Sequence, residues 1–156
     1  MKSALRKLRR GMTGIMESVL PKRTGRDIAP APPEGLKALG RKGEREAYRF
    51  LRKQGYRIVA RNFSSFSGEI DLVGWDRDIL CFVEVKTRTT EEHGRPEAAV
   101  NAFKQRQILN TARDFLRQAN LHPVNIRFDI VSIRYSEERD APECRLIRRA
   151  FGGAAR

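Results

Sequence analysis

The run Ile79–Thr87 (ILCFVEVKT) restricts the possible folds of this chain more than any other segment. Five apolar residues lead into Glu84-Val85-Lys86, so both faces of the strand are largely apolar. Such a strand belongs at the centre of a sheet with cover on each side. The chain must therefore supply a layer above it and a layer below it.

The neighbouring segments supply them. Leu39, Gly43, Ala47, Phe50 and Leu51 place small and apolar residues on one side of a helix stopping at Gly55. Tyr56–Phe63 reads as a first strand and Gly68–Trp75 as a second, with Asp76-Arg77-Asp78 turning into the third. A loop with Gly94 and Pro96 leads to a second helix ending near Ala119, capped by Asn101. Its expected buried stripe is Ala102, Ile108, Leu109, Ala112, Phe115, Leu116 and Ala119. Val124–Ile133 gives a fourth strand and Cys144–Ala150 a short fifth. The order αβββαβ, with that fifth strand appended, predicts an α/β fold in which helices flank a mixed sheet.

Ahead of this lies a different kind of sequence. Residues 1–35 read as a basic, proline-containing arm and linker, residues 36–150 as the folded domain, and residues 151–156 as a tail. The whole chain has 32 Lys plus Arg against 19 Asp plus Glu, a net charge of +13 over 156 residues. Residues 1–42 hold 11 basic and 3 acidic side chains, so most of the excess sits in the arm. This balance favours polyanionic partners, nucleic acid first and an acidic membrane surface second. Two cysteines, Cys81 and Cys144, make neither a disulfide framework nor a metal cluster. No apolar run approaches the ~20 residues of a membrane span. A cytoplasmic location is the expectation.

The polar residues inside the strands carry the chemistry. Glu84 and Lys86 leave one face of the third strand together with Leu80 and Phe82. Asp71 stands thirteen positions earlier, enough for a hairpin to bring it beside Glu84. On the second strand, Glu69, Asp71 and Val73 are expected on one face and Ile70 and Leu72 on the other. Hard cations such as Mg²⁺ take one or two protein carboxylates plus phosphate and water. Asp71 and Glu84 are the candidate metal ligands, with the Val85 carbonyl as a third donor. Lys86 would orient water and stabilise charge developing on phosphorus oxygens. Glu69 is assigned to supporting the ligands from just outside. Gly68 would let a ligand approach the backbone closely. The pattern points to a nuclease.

Gly43-Glu44, Gly55-Tyr56, Arg61-Asn62, Gly68-Glu69-Ile70-Asp71-Leu72, Phe82-Val83-Glu84-Val85-Lys86-Thr87-Arg88, Lys104 and Arg127-Phe128-Asp129 together resemble the YraN family. The resemblance covers about residues 36–135 and leaves out the arm. These bacterial proteins are in turn similar to archaeal Holliday junction resolvases, within the PD-(D/E)xK, restriction-endonuclease-like nucleases. The resemblance implies a restriction-endonuclease-like core and catalytic roles for Asp71, Glu84 and Lys86. It also implies that Glu44 on the first helix is an additional acid reaching the metal. Ile70 stands where many members carry proline before the aspartate. Mg²⁺, replaceable by Mn²⁺, is the implied cofactor, and DNA rather than RNA the implied substrate. A homodimer is the implied assembly, since two-fold symmetry suits two cuts on a junction.

Arg88, Arg95, Arg106 and Lys104 are candidates for backbone-phosphate contacts, which give affinity without reading sequence. Asp129 is expected in a salt bridge within the domain. Trp75 and Phe66 are expected in core or hairpin packing, with stacking on an unpaired base second. Two further function classes compete with the nuclease: a nucleic-acid-binding module without turnover, and a membrane-surface protein led by the arm.

Overall fold

Glu34–Lys53 forms one continuous helix, α1, of 20 residues. It stops where Gly55 takes up φ 90°. There the Gly55 amide donates to the Arg52 carbonyl at 3.1 Å and the Tyr56 amide to that of Leu51 at 3.0 Å. This paired closure satisfies the last carbonyls of the helix and needs a residue free of Cβ strain. The chain continues as β1 (Arg57–Ser65), β2 (Gly68–Asp76) and β3 (Ile79–Thr89). Helix α2 (Ala102–Gln118) is followed by β4 (Asn125–Tyr135) and β5 (Glu143–Phe151). The computed structural model describes residues 34–89, Arg95 and residues 100–152. The readings made for the arm through residue 33, the loop with Gly94 and Pro96, and residues 153–156 lie outside them.

One five-stranded sheet runs in the order β1-β2-β3-β4-β5. All neighbours are antiparallel except β3 and β4, which run parallel from Ile79↔Asn125 to Thr89↔Tyr135. A parallel pair needs a crossover, and α2 lies within it. The fold is thus α/β with a mixed sheet, and β3 is central and covered on both sides. Strand β5 is longer than expected, at nine residues.

Each face of the sheet has its own core. Against α2 lie Phe82, Phe128 and Ile130, with Ile108, Ala112 and Phe115 from the helix. Phe115 meets Phe63 and Phe82 edge-on at 5.1 and 5.8 Å, and Phe82 stacks on Phe128 at 5.5 Å. Against α1 lie Leu72, Cys81, Val83, Val131 and Ile133, with Ala47 and Leu51 from the helix. Gly43 is buried there. A Cβ at that position would fall 1.8 Å from Thr87 Oγ1, so the helix backbone rests directly on β3.

Four expectations are corrected. Ala102 is exposed, and Thr111 joins the buried face of α2 instead, its hydroxyl donating to the Gln107 carbonyl at 2.8 Å. Ile70 and Leu72 do not share a face: Ile70 packs in the α2-side core and Leu72 in the α1-side core. Pairing of β2 with β3 begins only at Leu72↔Val83, so before that point β2 follows its own twist. At Gly68 the close approach is that of α2, since a Cβ there would meet Gln107 Cγ at 2.5 Å. Phe66 packs against nothing in the hairpin and is 98% exposed. Trp75, by contrast, is half-buried against the α2-side core as expected.

Candidate active site

Asp71 occupies the split between β2 and β3. Its Oδ2 accepts the Val85 amide at 2.7 Å, in place of a ladder bond from the neighbouring strand. The amide and carbonyl of one strand residue point the same way. The Val85 carbonyl therefore leans toward the same split, as a third donor would have to.

Glu84, one residue earlier, is 4% exposed. Its Oε1 receives Lys86 Nζ at 2.9 Å and Lys104 Nζ at 3.4 Å. Its Oε2 is buried without a hydrogen-bond partner. An orphaned carboxylate oxygen in the interior is costly unless something cationic or protonated meets it. Nearby, burial and the Glu84 charge push Asp71 up from its ordinary 3.8 to about 7. Glu44 on α1 adds to that rise, while the Val85 amide and Lys104 on α2 hold it down. Asp71 thus feels charges from both helices and the central strand at once.

The donors present fit a small divalent cation. Two carboxylates, one with a free buried oxygen and one with a raised pKa, are hard oxygen ligands whose mutual repulsion a cation would relieve. The described residues contain no group of three or more His, Cys, Asp or Glu within reach of one ion. Glu44 therefore acts on Asp71 through its charge and is not gathered with Asp71 and Glu84 into a three-acid cluster. Glu69 is exposed and pairs with Ser64 on β1. It is not among the charges that shift Asp71.

The basic residues assigned to phosphate divide into two groups. Lys104 belongs to the site itself. Its amide donates to the Asn101 side chain at 2.9 Å, fixing the first turn of α2, and its ammonium reaches Glu84. The sequence signal for this was present. A crossover helix begins at the end of the sheet where the preceding strand finishes, so its first turn stands beside the end of β3. Arg88 donates to the Arg95 carbonyl at 3.2 Å, and Arg95 and Arg106 are exposed.

On the α1 face of the sheet, beside Cys81, lies a second polar cluster. Arg127 Nε bridges both oxygens of Asp129 at 2.8 and 3.0 Å, and its Nη2 reaches Asp76 at 2.8 Å and the Tyr56 hydroxyl. Asp129 also accepts the Tyr56 hydroxyl at 3.2 Å and the Arg149 amide at 3.0 Å. Asp129 is fully buried. The expected intradomain salt bridge is present, and every charge in the cluster is answered by another. This is the signature of a structural network.

No helix among the described residues is long and apolar enough to cross a membrane. The family model described as "Uncharacterised protein family UPF0102" matches residues 43–133, which span the second half of α1, β1–β3, α2 and most of β4. A UPF0102 protein of Koribacter versatilis is 43% identical over 139 residues, covering 88% of this chain and 90% of its own. One from Solibacter usitatus is 46% identical over 114 residues, covering 72% of this chain and 84% of its own. One from Geobacter sulfurreducens is 44% identical over 115 residues, covering 74% and 89% respectively. The matched segment holds Glu44, Asp71, Glu84, Lys86 and Lys104, and the chain belongs to the UPF0102 family, the YraN-like group that its motifs resemble.

Proposed function

We propose that this protein is a divalent-metal-dependent endonuclease hydrolysing phosphodiester bonds in structured or branched DNA. The observation that carries the reading is the buried, unpartnered Glu84 Oε2 beside an Asp71 whose proton affinity is raised. Asp71, Glu84 and the Val85 carbonyl would hold Mg²⁺ or Mn²⁺. The bound ion supplies Lewis-acid polarisation of a phosphoryl oxygen and a more acidic water. Lys86 holds an ammonium at the edge of the site, where it orients water and stabilises charge building on phosphorus oxygens. Glu44 adds negative potential beside Asp71, which opposes ionisation of that carboxyl until a cation binds. Arg88, Arg95 and Arg106 supply charge for the phosphate backbone.

A binding protein without turnover is the second reading. One observation favours it: Lys86 and Lys104 both pair with Glu84 Oε1, a contact that balances the acid's charge from within the chain. A cleavage panel separates the two. Purified protein is incubated with four-way junction, flap, single-stranded and fully paired DNA, in EDTA, Mg²⁺ or Mn²⁺. The nuclease reading expects metal-dependent cleavage that Asp71→Ala, Glu84→Ala and Lys86→Ala each abolish while DNA binding persists. Cleavage surviving all three substitutions, or binding with no cleavage under any metal, rejects it.

A further inference from the structure

The tip of the β1–β2 hairpin presents an aromatic side chain to solvent from a braced turn. Phe66 is 98% exposed, yet the backbone carrying it is held firmly. The Ser65 and Ser67 hydroxyls each donate to Asp114 Oδ2 on α2 at 2.8 Å, and the Ser67 amide donates to Ser65 Oγ at 3.1 Å. Gly68 closes on Gln107 of the same helix. A phenylalanine left in water forgoes burial that its side chain would otherwise gain. Fixing its backbone in advance lowers the ordering cost of whatever it meets.

The outer face of α2 says what that is. Phe103, Arg106, Asn110, Arg113 and Arg117 are all exposed and recur at helical spacing, so they form one stripe beside the hairpin tip. Phe103 is 68% exposed. Along the helix axis, Arg106 to Arg113 spans about 10 Å and Arg113 to Arg117 about 6 Å. Arg113 donates only to Asn110 and Arg117 meets Asp114 at 3.8 Å, exposed contacts that a phosphate readily replaces. Two separate rings among arginines do not make the contiguous apolar patch of a protein interface. Nor do they make the apolar face with which a helix enters a lipid surface, because that face of α2 is already in the core.

We propose that the Phe66 tip and the α2 stripe bind DNA containing unpaired bases, Phe66 stacking on a base while Arg106, Arg113 and Arg117 track the phosphates. This rests on the nuclease reading and narrows its substrate to strands that open beside a duplex. Phe66 lies in the two-residue turn that leads into β2, and from Gly68 to Asp71 that strand covers roughly 10 Å, so one strand joins the stacking tip to the candidate metal ligands.

The test uses the full chain in EDTA, so that binding is read without cleavage. A fully paired duplex and the same duplex with a single-stranded extension carrying 2-aminopurine are titrated by fluorescence. Phe66→Ala is expected to weaken binding of the extended substrate about tenfold, the loss of one base–aromatic stack. It should also remove the 2-aminopurine quench and leave duplex binding and the salt slope unchanged. The pair Arg113→Ala and Arg117→Ala is expected to weaken both substrates and reduce the salt slope by about two. Extended-substrate binding and quench that are unaltered in Phe66→Ala overturn the inference, even where wild type cleaves DNA. Phe66-dependent binding of anionic vesicles or polyglutamate with no binding of the extended DNA also overturns it. Failure of the wild type to bind the extended DNA overturns this inference alone, the nuclease reading being decided by the cleavage panel.

Discussion

Val85 donates its amide to Asp71 Oδ2 at 2.7 Å, just beyond the last β2–β3 pair at Leu72↔Val83. The bond replaces a ladder contact and holds a carboxylate in the opening between two strands. It also draws the proton affinity of Asp71 down against burial and the neighbouring acids, which together win.

The metal-free protein should therefore lose stability as pH rises. Asp71 titrates near 3.8 when unfolded and about 7 when folded, so the folded chain binds the extra proton between those values. Its contribution is fully favourable below pH 4, declines through the window, and has gone above 7. Asp71→Asn removes the penalty. Urea unfolding at pH 8 in EDTA should find the variant more stable by about 1–3 kcal/mol, and at pH 4 indistinguishable from wild type. Adding Mg²⁺ at pH 8 should raise wild type alone.

Glu44 acts on Asp71 through its charge, so neutralising it should move a measurable titration. Carboxyl-carbon NMR of metal-free Glu44→Gln should place the Asp71 midpoint below the wild-type value of about 7. An unmoved midpoint would remove Glu44 from the site.

Two glycines in α1 should respond to alanine in opposite senses. Nothing lies within 4 Å of a Cβ at Gly40, whereas one at Gly43 would overlap the Thr87 side chain. Gly40→Ala should stabilise by about 0.5–1 kcal/mol through helix propensity. Gly43→Ala should destabilise by about 1–3 kcal/mol and lift α1 from β3. Denaturant midpoints of the two variants decide the matter.

The Arg127 cluster should behave as scaffold. Arg127→Ala leaves the buried Asp129 without a counter-charge and Asp76 with Arg148 alone at 3.9 Å, with an expected loss of about 3–5 kcal/mol. Tyr56→Phe removes one hydroxyl and should cost about 1–2 kcal/mol. Neither should alter metal affinity of the folded fraction, read by isothermal titration at low temperature.

The strand framework was legible because each strand is bounded by turn residues and β3 is too apolar for an edge. Asn101 was readable as a cap because its side chain suits the amide three residues on. Side-chain direction around Asp71 was not legible. Strict alternation assumes a continuous ladder, and Ile70 and Leu72 part company where pairing with β3 stops. Ala102 was misplaced since its spacing fits the buried stripe, but the first turn of α2 projects past the core. Phe66 and Gly68 depended on a tertiary contact, the docking of the hairpin on Gln107 and Asp114, which no local pattern encodes.

The two faces of β3 differ in how completely their polar groups are answered. Around Cys81 the interior charges are matched by Tyr56 just ahead of β1 and from β2, β4 and β5, while Glu84 keeps one buried oxygen without a hydrogen-bond partner. Breathing of the native state should therefore be polarised: amides beside Arg127 exchange only on global unfolding, while those beside Lys86 exchange through smaller openings. A sheet braced on its α1 face can open locally on its α2 face without giving up its fold.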